Sequence, residues 1–341
     1  MAKRGVKVLK GDEKKEKRED MWLAQIGQRE NHRYASDNSE SSLLIHQLGR
    51  DISINCLLRC SRSYYGIIAT LNTGFHSLIR SGELYKLRRQ MGIVEHWVYF
   101  SCNLLEWEAF DPIHRRWMHM PKMQAYECFI LGEIGIIAGG CDLRGNILSS
   151  AELYNSETGR WETIPRMNKA RRMCSAVFME GKFYVIGGIG VESLKTITSV
   201  EVYDLKTKTW SEIPNMYPTP NEGAGPTEEP LTAEAPPLVA VVNDVLYVAD
   251  HVLKQVKKYD KEKNLWVTVG PFPERTTSMN GWGIAFRACG DQLMIIGGPR
   301  VLGAGFVEIY SWVPKEGPLE WNLVARKPSS SFVYNCAVMG C

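Results

Sequence analysis

The sequence carries little net charge and has no long apolar run. Its 341 residues include 41 Lys or Arg and 38 Asp or Glu, which leaves a formal net charge of +3. This excess is too small to indicate a nucleic-acid partner, and the basic residues past position 40 form no stripe with interleaved aromatics. No stretch reaches about 18 uninterrupted apolar residues, and no apolar run follows the opening Met-Ala-Lys-Arg. We therefore expect neither a membrane span nor a secretory signal.

Motifs for metal binding and catalysis are also missing. The nine cysteines include no CxxC pair, and Cys56 and Cys60 lack a downstream pair at the spacing of zinc ligands. We expect mostly reduced thiols and a location in the nucleus, the cytoplasm or both. The seven histidines show no HExxH spacing, and neither a GxxxxGK[ST] loop nor a GxSxG elbow is present. These absences predict a protein with no cofactor, no metal and no catalytic activity.

The first 40 residues have the composition of a disordered tail. They contain ten Lys or Arg and eight Asp or Glu with few branched apolar residues, too little apolar surface to offset the entropy of ordering. The basic run 14–18 could act as a weak nuclear-import signal. Since Glu16 interrupts it, a solvated charge run is the favoured interpretation.

Residues 41–90 change to apolar residues at helical spacing, such as Leu44, Ile45 and Leu48, followed by Ile54, Leu57 and Leu58. This spacing predicts a small domain of three or four short helices. Asp51 or Ser53 is the predicted N-cap of the second helix.

An internal repeat dominates residues 91–341. The repeat consists of an aromatic residue, a small polar residue directly after it, and a Trp seven positions after the aromatic. Four copies follow this spacing, and a fifth is looser. The aromatic and Trp positions are Phe110 and Trp117, Tyr154 and Trp161, Tyr203 and Trp210, Tyr259 and Trp266, and, in the looser copy, Tyr310 and Trp321. Upstream of three copies an apolar strand ends in paired glycines, at 139–140, 187–188 and 297–298. Fixed-period repeats of this kind indicate units that stack on one another.

The repeat predicts a mostly β fold, a five-bladed propeller. Each copy supplies up to four short strands, and radial packing of several sheets buries both faces of each one. The first copy has only three strands, whereas 332–339 is a strand-like run with no blade of its own. We expect this C-terminal strand to join the first blade and close the ring, which removes an exposed edge.

These motifs resemble known families. The di-Gly, Tyr and Trp pattern resembles the kelch repeat, and segments 43–45, 51–53, 56–59, 75–79 and 81–85 resemble an F-box of the plant F-box/kelch-repeat type. The resemblance implies a substrate-recognition subunit of an SCF-type ubiquitin ligase. In such a protein the F-box binds the Skp-type adaptor of a cullin-RING ligase and the propeller presents an unidentified target protein for ubiquitination, while the chain itself is not catalytic.

Carried onto this sequence, the resemblance assigns adaptor binding to six apolar residues: Leu44, Ile45, Leu48, Ile54, Leu57 and Leu58. They could instead form the core of the helical domain, but about 50 residues can hardly turn all of them inward. F-boxes usually have Pro directly after the first apolar pair, and this chain has His46 there. His46 therefore raises the alternative of a kelch interaction scaffold with a degenerate F-box and no ligase role.

One face of the propeller is the predicted target-binding surface. In an antiparallel four-stranded blade, the loop after the second strand and the linker to the next blade emerge on the same face, which we call the loop face. Its basic residues are Arg144, Lys169, Arg171, Arg172, Lys195, Arg275, Arg300, Arg326 and Lys327. They suggest an acidic or phosphorylated target, although scattered surface charge is the competing interpretation. The linker 217–237 contributes four Glu that could cover this basic rim.

Overall fold

The computed structural model describes two compact units, divided between Val94 and Glu95. The described residues are 44–45, 48–101, 107–120, 129–131, 134–142, 144–155, 158–191, 196–217, 235–276, 278, 280–298, 305–315, 317–329, 332–333 and 335–340. The predicted tail, 1–40, lies outside them, as does His46.

The first unit is helical. Its elements are α1 (Gly49–Arg59), a 3-10 turn (Arg62–Tyr64), α2 (Tyr65–Ile68), α3 (Thr73–Arg80) and α4 (Glu83–Gln90). Asn72 caps α3, since its side chain accepts the Phe75 N–H at 2.8 Å. The predicted caps of the helix after residue 50 are wrong, because α1 begins earlier, after Leu48, and Asp51 and Ser53 lie inside it.

Arg88, a residue of α4, forms hydrogen bonds to the C-terminal end of α1. Its side chain is buried, and Nη1 donates to the carbonyl oxygens of Leu58 at 2.9 Å and Cys60 at 3.0 Å. The last carbonyls of a helix have no partner within the helix. A side chain from 30 residues away therefore satisfies the end of α1.

The second unit consists of five four-stranded antiparallel sheets, the blades. The strands are β1 (His96–Ser101), β2 (Trp107–Asp111), β3 (Arg116–His119), β4 (Phe129–Leu131), β5 (Ile134–Ala138), β6 (Ala151–Asn155), β7 (Arg160–Ile164), β8 (Ser175–Met179), β9 (Lys182–Ile186), β10 (Val200–Asp204), β11 (Thr209–Ile213), β12 (Val239–Val242), β13 (Val245–Asp250), β14 (Gln255–Asp260), β15 (Leu265–Pro271), β16 (Ile284–Cys289), β17 (Gln292–Gly297), β18 (Phe306–Trp312), β19 (Asn322–Pro328) and β20 (Asn335–Gly340). Blade 1 is β20-β1-β2-β3, and blades 2 to 5 take the remaining strands in order, four at a time. The five-bladed propeller predicted from the repeat is confirmed.

The last strand completes the first blade. β20 pairs antiparallel with β1 from His96 opposite Gly340 to Ser101 opposite Asn335. β12 contacts β8 and β16, and β16 contacts β20, so the first strands of the blades and β20 lie side by side at the inside of the ring. The ring is thus closed by strand pairing between its two ends.

Apolar clusters fill the space between successive blades. Phe286 of blade 5 and Val256 of blade 4 belong to one buried cluster, and Val98 of blade 1 shares another with Ile296 of blade 5. Blade 5 therefore buries both faces of its sheet against its two neighbours, which a single sheet could not do.

The repeated aromatic and Trp are cross-strand neighbours in each of the first four copies. Tyr203 of β10 lies directly opposite Trp210 of β11, with ring centroids 5.1 Å apart. The Trp210 indole Nε1 then donates to the Pro165 carbonyl of the preceding blade at 2.6 Å, and Trp266 and Trp321 make the equivalent bonds to Met216 and Pro271. The Trp therefore links each of these blades to the one before it.

Two of the paired glycines are required by close backbone packing. A Cβ on Gly139, at φ +75°, would lie 2.5 Å from the Arg171 carbonyl oxygen, and one on Gly188, at φ +91°, would lie 2.7 Å from the Arg172 carbonyl oxygen. Both carbonyl groups belong to one linker, between β7 of blade 2 and β8 of blade 3, which passes the ends of the second strands of these two blades. At Gly297 the nearest atom would be 3.6 Å away, so that glycine has no such role.

Candidate functional site

Four of the six residues assigned to adaptor binding lie in the core of the helical unit. Leu44, Ile54, Leu57 and Leu58 are buried, in a cluster with Tyr65, Phe75, Leu78 and Leu84. Because α3 and α4 supply enough apolar surface to cover them, these four side chains offer little surface to an adaptor, and their part in adaptor binding stays a prediction. Ile45 is half-buried, and Leu48 is exposed.

Other apolar side chains of this unit are exposed, and the sequence reasoning missed them. Ile52 is 56% exposed, and it lies four residues after the exposed Leu48, on the same side of α1. Ile67 and Leu71, also four residues apart, are 56% and 66% exposed. The signal that could have identified Ile52 is its phase, since it falls with Leu48 on the side of α1 opposite the run of Ile54, Leu57 and Leu58.

The basic residues of the loop face have different environments. Arg144 is exposed in the turn after β5, Arg172 is half-buried, and Lys169, Arg275 and Arg326 are exposed. Lys195 and Arg300 lie outside the described residues. The predicted surface is therefore only partly described.

Arg171 does not belong to this surface. Its side chain and that of Glu201 are both 0% exposed, and Nη2 donates to Glu201 Oε1 at 2.8 Å. Nη1 donates to the carbonyl oxygens of Gly187 at 3.0 Å and Ser199 at 3.2 Å. Because the linker folds it back into blade 3, the Arg171 side chain has no exposed surface to offer a target, contrary to its predicted place on the loop face.

Two lysines on this face have acidic partners of their own. Lys169 Nζ pairs with Glu212 and donates to Ser199 Oγ at 2.9 Å. The hydrogen bond from Lys169 holds the pKa of Glu212 below its usual value. Lys327 Nζ lies 2.5 Å from Glu108 Oε1. Both ammonium groups are therefore neutralised within the propeller.

Arg275 and Arg326 instead share one carboxylate. Arg275 Nη1 lies 3.7 Å and Arg326 Nε 3.2 Å from the same oxygen, Oε1 of Glu308. The Tyr310 hydroxyl donates to Glu308 Oε2 at 2.8 Å; burial, followed by this bond, raises the pKa of Tyr310 to about 12. The Arg326 guanidinium carbon lies 3.6 Å from the centre of the Phe306 ring.

Among the residues that the structure describes, no group of three or more His, Cys, Asp or Glu could hold a metal ion. In the same part of the chain no helix is both long and apolar enough to cross a membrane.

The five repeats, the aromatic–Trp pairs of the first four and the closing strand define the class of the second unit as a kelch propeller. The family described as the kelch motif matches residues 136–168 and 170–217, which lie in blades 2 and 3. Among curated proteins, the F-box/kelch-repeat protein SKIP11 of Arabidopsis thaliana is 51% identical over 89% of this chain and 77% of its own length. The F-box/kelch-repeat protein At1g74510 of the same plant is 50% identical over 89% of this chain and 80% of its own length. The chain belongs to the F-box/kelch-repeat family.

Proposed function

We propose that this chain is the substrate-recognition subunit of an SCF-type ubiquitin ligase and is itself non-catalytic. In this proposal the helical unit docks a Skp-type adaptor, and through it a cullin-RING ligase, while the propeller holds the target protein. The proposal rests on the relatives' printed name, F-box/kelch-repeat protein, at 51% identity over 89% of the chain. A nuclear or cytoplasmic location is part of the proposal and is testable with a fluorescent fusion.

The structure changes which residues we propose for adaptor docking. The four buried residues hold the helical unit together, whereas Leu48, Ile52, Ile67 and Leu71 keep apolar surface available to a partner. Removing such surface from water is a main source of binding free energy. We therefore propose these four exposed residues as the docking side chains.

A pull-down of the full-length chain against a purified Skp-type adaptor tests this proposal. Ile52→Arg should weaken capture about tenfold or more, because burial of an Ile side chain contributes about 1.5–3 kcal/mol and the added charge would be desolvated. The matched control is Leu253→Arg, which alters a similarly exposed apolar residue, 58% exposed, on the propeller and should leave capture unchanged.

Two outcomes count against the proposal. Full capture by Ile52→Arg would show that α1 does not dock through this side. No capture by the unaltered chain would favour the second candidate, a kelch interaction scaffold without a ligase role, for which the specific observation is His46 at the position where F-boxes usually have Pro.

A further inference from the structure

The third strand of four blades carries a glutamate two residues before the repeated aromatic. These residues are Glu108, Glu152, Glu201 and Glu308; blade 4 has Lys257 at this position, paired with Asp250 at 2.8 Å. The position is therefore a recurring place for a charged group near the loop face. Blades 3 and 5 differ in the charged groups that pair with this glutamate.

In blade 3 the glutamate is fully satisfied. Besides Arg171, the backbone N–H groups of Asn168 and Lys169 donate to the Glu201 carboxylate at 2.6 and 3.0 Å. One guanidinium and one carboxylate cancel, and both are buried. This arrangement stabilises the fold and leaves nothing for a ligand.

In blade 5 two guanidiniums approach the equivalent glutamate, and both are open to solvent. The side chains of Arg275 and Arg326 are 67% and 42% exposed. Within the described residues, only the Tyr310 hydroxyl donates a hydrogen bond to Glu308, so the N–H groups of both arginines remain available. Glu274, next to Arg275, is exposed and makes no ion pair with any residue that the structure describes. One carboxylate thus meets two positive charges.

The two guanidiniums are also held in place. Both approach Glu308 Oε1, Arg275 to 3.7 Å and Arg326 to 3.2 Å, and the Arg326 guanidinium lies over the Phe306 ring, which is 40% exposed. A guanidinium fixed in this way can offer two parallel N–H groups to a carboxylate or phosphate. The ring adds an apolar contact beside the charge.

We propose that Arg275 and Arg326 anchor an acidic segment of a protein partner, with one carboxylate or phosphate bridging the two guanidiniums. The inference deepens the proposed function, and rests on it only in taking that partner to be a ubiquitination target. The observation that carries it is charge complementarity to an anionic partner. In blade 5 two exposed arginines share one glutamate, which leaves an excess positive charge, whereas in blade 3 one arginine and one glutamate form a buried pair.

Fluorescence anisotropy of labelled peptides with the full-length chain tests the anchor. The probes are hexaglutamate, a serine peptide with two phosphoserines, and hexaglutamine as the neutral control. We expect the two anionic peptides to bind and to be weakened by salt. Arg275→Gln and Arg326→Gln should each weaken binding about tenfold, the usual effect of losing a charge-assisted hydrogen bond. Arg144→Gln, on the same face, should change it less than about twofold.

We expect Glu308→Gln to strengthen peptide binding, which is opposite to the effect expected of the two arginine variants. Removing the internal carboxylate frees both guanidiniums, so the anionic peptides should bind more tightly than to the unaltered chain, with thermal melting as the check of folding. Equal binding of hexaglutamine, no binding of either anionic peptide, or equal loss in Arg144→Gln would overturn the proposal. Since no adaptor is present, these outcomes are independent of the capture experiment on the helical unit.

Discussion

Arg171 and Glu201 show what a buried ion pair demands of its two residues. Both side chains are fully buried, and removing one partner of such a pair leaves an uncompensated charge, at a cost of about 3–5 kcal/mol. We expect Arg171→Met to lower the free energy of unfolding by this amount in a urea titration. The control, Arg144→Met in an exposed turn, should stay within about 0.5 kcal/mol.

The double variant Arg171→Met with Glu201→Gln sharpens this prediction. Since the second change removes the orphaned carboxylate, the double variant should be more stable than the sum of the two single effects predicts. Strict additivity would mean that the two charges do not interact.

Cys289 should be unreactive in the folded protein. Burial, followed by the charge of Cys336, raises the pKa of this thiol to about 12, so almost none of it is thiolate between pH 7 and pH 9. Iodoacetamide should modify the exposed Cys56 and Cys141 first, and Cys289 only after denaturant is added. Mass spectrometry of the labelled peptides checks the order, and early labelling of Cys289 would contradict its buried position.

At the scale of the elements, the linker crossing at Gly139 fixes the join between blades 2 and 3. We expect Gly139→Ala to destabilise the propeller by about 1–3 kcal/mol, because the alanine must adopt a positive φ and its Cβ meets the Arg171 carbonyl. Gly297→Ala is the matched control and should be neutral or slightly stabilising, because φ there is not positive and the added Cβ would make only ordinary van der Waals contacts, the nearest at 3.6 Å. Similar melting temperatures for the two variants would show that the crossing can relax.

Features set by near neighbours in sequence could be predicted, and features set by distant ones could not. The spacing of seven between Tyr203 and Trp210 fixes a cross-strand pair joined by a short turn, so each copy reveals two strands without knowledge of the rest. Burial of Leu58 depends instead on residues such as Phe75 and Leu84. Arg171 is withdrawn from the surface by a glutamate 30 residues later, a pairing that no local pattern shows.

At the scale of the whole molecule, the pairing of β20 with β1 holds the ring closed. Deleting residues 330–341 uncovers an edge of β1 and the inner side of β16, which β20 contacts. We expect loss of a single cooperative unfolding transition and aggregation through the bare edge, measured by calorimetry and light scattering.

A synthetic peptide of residues 330–341 should partly restore the transition of the shortened chain, whereas a scrambled peptide should not. A shortened chain that melts as the full chain does would mean that the ring needs no closing strand.

Because β1 pairs with β20, blade 1 can be completed only late in the synthesis of the chain. β1 leaves the ribosome long before β20, and with roughly 240 residues between the paired positions, synthesis at about 5–20 residues per second delays the partner by about 10–50 s. Throughout that interval blade 1 lacks its inner strand, while the strands of blades 2 to 5 are synthesised one after another. We therefore expect a stop codon placed just before β20 to leave blade 1 without its inner strand, although the sequences of blades 2 to 5 are intact.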